Sequence, residues 1–157
     1  MQTKTISGFR LYPQQKRLWL LQQDGFSNQA NSAILLSGNL QPDILKAALK
    51  KVVERHQILR TNFRRLSAMK TPVMVVADSS DTLWRDIDLT NCKPEEQSAK
   101  IADILQWENH QGFELEKATL LRSTLITLAP EKHILNINLP ALCADSWTLN
   151  NLVREIG

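Results

Sequence analysis

Glycine is scarce in this chain of 157 residues: there are five, and they gather into neither G-x-G-x-x-G nor G-x-x-x-x-G-K. Without such a loop there is no backbone cradle for phosphate, so nucleotide binding of that kind is not indicated. The nucleophile-elbow pattern G-x-S-x-G is missing too. Cysteine is equally sparse. Cys92 and Cys143 stand far apart, which suggests no disulfide framework and makes a reduced, cytoplasmic setting the default. The histidines His56, His110 and His133 are scattered, with no H-x-x-x-H pair and none beside a cysteine. A zinc site needs more ligands at closer spacing, so no metal is expected. No pair of carboxylates stands out for acid–base work. No run of 18 apolar residues exists to span a bilayer, and residues 1–10 hold no apolar segment or cleavage site of a secretory signal. Lys and Arg number 19 against 16 Asp and Glu, a net +3. That excess is too small and too dispersed to argue for nucleic acid or a membrane as partner.

What is present is ordinary globular material, 43% hydrophobic and 22% charged, in a length that can bury a real core. No repeat, low-complexity tract or linker divides it, so residues 1–157 read as one domain. A short strand is possible within residues 1–10. Pro13 opens a helix to about Gln23, because proline's missing N–H costs nothing in a first turn, and Asp24-Gly25 stops it. Residues 30–36 read as a strand. Pro42 opens a second helix with Asp43 in its first turn, where the dipole favours an anion. Leu45, Ala48, Leu49, Val52 and Val53 form one apolar stripe on it, and Lys46, Lys50, Lys51 and Glu54 form a solvated face opposite.

Residues 59–65, 72–77 and 83–89 read as strands. Pro94 opens a third helix, with Glu95 and Glu96 in its first turn and Gly112 just past its end. Residues 119–128 and 133–139 form a hairpin around Ala129-Pro130-Glu131-Lys132. In its second strand Leu135, Ile137 and Leu139 share one face, while Ile134, Asn136 and Asn138 share the other, as suits a strand packed on one side. A last helix begins near Ser146. Four helices and five or six strands in this order predict an α/β (α+β) two-layer sandwich, with helices packed on a mixed sheet.

Three segments carry more than fold. Pro13-Gln14-Gln15-Lys16-Arg17-Leu18-Trp19 is similar to the first core motif of nonribosomal peptide synthetase condensation domains, S-x-A-Q-x-R-L-[WY]. Arg55-His56-Gln57-Ile58-Leu59-Arg60-Thr61-Asn62-Phe63 matches the second, R-H-x-x-L-R-T-x-F, at every specified position. Phe113-Glu114-Leu115 with Leu120-Leu121-Arg122 resembles the segment before the third. The chain thus looks like the N-terminal lobe of a condensation domain. The resemblance implies two lobes, each like chloramphenicol acetyltransferase, facing across a channel, with the second lobe outside this chain. It implies amide formation between thioesters that carrier proteins deliver on phosphopantetheine arms, so no cofactor is bound directly. It implies adenylation and carrier domains of the same synthetase as partners.

The third motif, H-H-x-x-x-D-G, supplies the reaction's histidine, whose near-neutral pKa suits a base or a positioning group. With Asp145 aligned to its aspartate, Pro140 and Ala141 take the two histidine positions and Ser146 the glycine. Neither Pro140 nor Ala141 can move a proton or donate a side-chain hydrogen bond, so no catalytic residue is assigned. Cys143 is a weak candidate nucleophile, but a lone cysteine between Leu142 and Ala144 reads first as a packing group. The resemblance gives Asp145 a structural role, held by an arginine: Arg60 is the first choice and Arg122 the second, and capping of the last helix is compatible with either. His56, at the end of the second helix, reads as structural. Trp19 faces the core, Arg17 ties its helix to a neighbouring loop, and Trp147 packs where the last helix meets the sheet.

Three functions follow. The first is a degenerate, non-catalytic module that packs against or orients adenylation and carrier domains. The second is part of an active acyltransferase completed by a C-terminal lobe. The third is a stand-alone carrier-protein docking module. The sheet edge that a second lobe would cover is an expected site of self-association.

Overall fold

The computed structural model describes residues 8–23, 28–117, 120–144 and 146–157. Its elements are β1 (Phe9–Arg10), α1 (Pro13–Gln23), β2 (Gln29–Ser37), α2 (Pro42–Arg55), a 3₁₀ turn (Gln57–Arg60), β3 (Thr61–Arg64), β4 (Val73–Val76), β5 (Leu83–Asp88), α3 (Pro94–His110), β6 (Arg122–Ala129), β7 (Lys132–Pro140) and α4 (Ser146–Ile156). The expected Asp24-Gly25 stop of α1 lies outside the described residues.

Proline opens α1, α2 and α3 as expected. In α1 the first turn is closed by Gln15, whose Oε1 accepts the Tyr12 N–H at 2.9 Å, the return half of a capping box. The α2 stripe is buried at Leu45, Leu49, Val52 and Val53. From the same helix Lys46 reaches Asp86 at 3.5 Å and lies over the Trp84 ring. The strand expected from residue 59 begins only at Thr61, because residues 57–60 coil into the 3₁₀ turn. Past β2 the chain reverses at Gly38, whose φ of 109° is open to glycine and strained for any residue with a Cβ.

Two sheets form. One has the order β1-β4-β3, all antiparallel. The other has the order β2-β7-β6-β5, antiparallel except that β5 runs parallel to β6. This is the expected α+β architecture of helices on a mixed sheet. The hairpin of β6 and β7 is present, with an irregularity between Thr127 and Ala129.

The central strand β7 departs from the one-sided reading. Leu135, Ile137 and Leu139 pack with Leu49, Val53, Leu149 and Leu152 of α2 and α4. The other face is also covered: Ile134 joins Ile101 and Ile104 of α3 around Leu89, Ile126 and Leu128. Asn136 and Asn138, which the pattern exposed to solvent, are buried at 2% and 0% exposure. Alternation of residue type marks a strand's two faces; it does not say whether a helix covers the polar one.

The end of α3 also differs from expectation. Gly112 is not a left-handed cap, since Gly38 is the one positive-φ glycine among the described residues. Arg122 closes the helix end instead. Its Nη2 donates to the carbonyls of Glu108 (3.2 Å) and Gln111 (3.1 Å), and Nη1 to that of Gly112 (3.4 Å). A cation over free carbonyls satisfies both their hydrogen bonding and the helix dipole.

Candidate functional site

The segment aligned with H-H-x-x-x-D-G is the turn after β7. Pro140 ends the strand, opposite Gln29, and the Ala141 N–H continues the ladder by donating to Asn28 O at 3.0 Å. In an antiparallel pair successive N–H groups face opposite sides, so the N–H that Pro140 lacks would face the β6 side. There the ladder has already ended, at Arg122 opposite Asn138. Proline at the end of a central strand therefore removes no ladder bond. The chain then turns, with the Cys143 N–H donating to Pro140 O at 2.9 Å.

All three motif segments converge on this turn. Gln15 of α1 donates through Nε2 to Leu142 O at 3.2 Å and contacts Met74 Sδ at 3.4 Å. Trp19, Phe63, Leu115 and Leu120 pack with Leu142 and Cys143 in one buried cluster. The Phe63 N–H is bonded to Leu115 O at 2.7 Å. An open pocket of about 320 Å³ lies against the turn, lined by Tyr12, Gln15, Leu18, Ile58, Ala141 and Cys143 among others. Its described lining carries no imidazole and no carboxylate. Burial pushes the Cys143 thiol up to about 12, because an apolar surrounding disfavours the thiolate. At neutral pH its sulfur is a thiol, which fits the packing role.

The other singled-out residues lie as follows. Trp19 is in the core, 5% exposed. Arg17 is exposed and makes no hydrogen bond or ion pair among the described residues; the tie from helix to loop expected of it comes from Gln15. His56 caps α2, but its ring meets no free carbonyl there: Nε2 sits 3.0 and 2.9 Å from the two oxygens of Glu155 on α4. Arg60 donates through Nη1 to the carbonyls of Ala77 and Asp78 at the end of β4. Asp145 and the side chain of Trp147 lie outside the described residues.

Arg122 is engaged elsewhere, as the centre of a second polar cluster. Its Nε is 3.2 Å from Glu108 Oε2, an ion pair in which the N–H is not aligned as a hydrogen bond. Glu108, 1% exposed, also accepts from the Thr124 hydroxyl at 2.8 Å and faces Arg85 at 3.5 Å. Burial lowers the Arg122 pKa, and Glu108 partly restores it. The Phe113 ring lies 4.3 Å below its guanidinium. Sequence reasoning missed Gln15 and Glu108. Gln15 occupies the glutamine of the first motif, which was signal enough; Glu108 looks like any surface glutamate of a helix.

A mixed sheet with helices on both faces, ending in a turn on which these three motifs converge, defines a condensation-type half-domain. Comparison with known proteins agrees. The Condensation domain family matches residues 8–157. Tyrocidine synthase 3 of Brevibacillus parabrevis is 35% identical over 146 residues, which cover 91% of this chain and 2% of that protein. Chondramide synthase cmdD of Chondromyces crocatus is 33% identical over 147 residues, covering 90% of this chain and 4% of that one. In structure the chain is similar to the starter condensation domain of the rhizomide synthetase (TM-score 0.83, 18% identity, 96% of this chain and 36% of that one). It is equally similar to the first condensation domain of the calcium-dependent antibiotic synthetase (TM-score 0.83, 19% identity, the same coverage). The chain belongs to the condensation-domain family of peptide synthetases, and it spans a few per cent of the synthetases it matches. No helix among the described residues is long and apolar enough to cross a membrane.

Proposed function

We propose that this lobe is a non-catalytic condensation-like module of a nonribosomal peptide synthetase, which packs against or orients neighbouring adenylation and carrier domains in the cytoplasm. One observation carries the reading. At the turn after β7, aligning Asp145 with the family's aspartate puts Pro140 and Ala141 at the histidine positions, and Cys143, in the pocket beside them, is held as a thiol. Neither Pro140 nor Ala141 can take a proton from an attacking amine or hold that amine by a side-chain hydrogen bond. The motif residues that remain, Trp19 and Phe63, are spent on the core.

The test is a condensation assay with the full-length synthetase and carrier proteins loaded on their phosphopantetheine arms. No amide product should depend on this domain. Product that forms and is lost on Cys143→Ala would overturn the reading in favour of an acyltransferase completed by a second lobe. Titration calorimetry against isolated carrier and adenylation domains separates docking from packing within one chain.

A further inference from the structure

The two cysteines have opposite surroundings. Cys143 is buried, whereas Cys92 is half-exposed in the turn between β5 and α3. Lys100, in the second turn of α3, places Nζ 3.0 Å from Cys92 Sγ. Both atoms are carried on fixed backbone. The Cys92 N–H donates to Leu89 O at 3.0 Å. Gln97 clamps the same turn, donating to Leu89 O and Leu128 O at 2.9 Å each. Asp88 accepts from the Thr90 N–H and hydroxyl at 2.9 and 2.7 Å. Cys92 itself packs on the cluster of Leu89, Ile126 and Leu128.

We propose that Cys92 and Lys100 form a modification site, an oxidative cross-link in which one oxygen atom bridges the cysteine sulfur and the lysine nitrogen, with hydrogen peroxide as oxidant. The chemistry runs in two stages. The thiolate attacks one peroxide, breaking its O–O bond to give a sulfenic acid and hydroxide. Lys100 rests as an ammonium whose pKa is raised by its hydrogen bond to Cys92, and it gives a proton to that hydroxide. The free amine, the sulfenic acid and a second peroxide then form the N–O bond and two waters. Overall, one thiol, one amine and two peroxides yield the S–O–N bridge and three waters. Sulfur and nitrogen are each oxidised by two electrons, and each peroxide is reduced by two. Sulfur and nitrogen need close by only a fraction of an ångström, within the freedom of an exposed lysine side chain. The bridge would staple the start of α3 to the turn before it.

Trypsin reports the bond directly. It cuts after Arg85 and Lys100 but not at Lys93, which precedes Pro94, so Cys92 and Lys100 share one peptide. After peroxide treatment the bridged protein should lose cleavage after Lys100 and gain about 14 Da on the longer peptide. Dithiothreitol should reverse both changes. Lys100→Arg keeps the charge and should show neither, giving only sulfenic and sulfinic products at Cys92; Cys143 should stay unmodified in all samples. Persistent cleavage after Lys100 in the peroxide-treated protein, or the 14 Da product in Lys100→Arg, would overturn the proposal.

Discussion

Removing Arg122 should destabilise the protein far more than neutralising Glu108, although the two form one ion pair. In Arg122→Met the Glu108 carboxylate stays 1% exposed. It keeps the Thr124 hydroxyl at 2.8 Å and an Arg85 guanidinium that is half in solvent at 3.5 Å. Leaving a buried charge without its main partner costs about 4 kcal/mol. The three carbonyls that Arg122 releases at the end of α3 add little, since water can reach Gly112 and part of Gln111. In Glu108→Gln the shape is kept and the amide oxygen still accepts from Thr124. Arg122 retains its three carbonyls and 16% side-chain exposure, so about 1.5 kcal/mol is lost. With a urea dependence of about 2 kcal/mol per molar, the midpoint should fall by about 2 M for Arg122→Met and by under about 1 M for Glu108→Gln. The double variant Glu108→Leu/Arg122→Met should be more stable than the sum of its single changes, by about 2 kcal/mol. Equal losses for the two single variants, or the reverse order, would refute the reasoning.

Three further outcomes are expected. Gln15→Ala removes both the α1 cap and the bond to Leu142 O; it should cost about 1–2 kcal/mol and speed hydrogen exchange at the Cys143 amide about tenfold, with the Leu135 amide unchanged. Phe63→Ala empties the centre of the motif cluster, at 0% exposure, and should cost about 4 kcal/mol in a urea titration. Cys143 gives an alkaline signature. Its folded pKa, about 12, lies above the ordinary 9.0, so above pH 9 the unfolded chain releases a proton that the folded protein keeps. Its stabilising contribution is full below pH 9 and is lost as pH rises toward 12. Wild type should lose about 1.4 kcal/mol per pH unit more than Cys143→Ala in that window, and iodoacetamide at pH 8 should label Cys92 and spare Cys143.

The sequence alone determined the elements and the family resemblance. Prolines at helix starts, the α2 stripe and the β6–β7 hairpin are local signals, set by the backbone's own hydrogen bonding and by side-chain periodicity, so they can be read without the fold. The R-H-x-x-L-R-T-x-F match is likewise a matter of residue identity, as is the presence of Pro140 and Ala141 at the places that alignment on Asp145 gives to two histidines. Burial was decided by tertiary structure. Nothing local distinguishes Asn136 and Asn138 from solvent-facing residues, because their covering comes from α3, placed over them by a parallel β5–β6 connection. Glu108 becomes a buried charge, and Arg122 a helix cap, only where that helix meets the sheet. Gln15 and Leu142 are 127 positions apart, and their contact depends on packing from both sheets. The sequence names the groups a site can use, since functional groups belong to residues; only the fold determines which of them meet, since long-range contact and access to water belong to the packed whole.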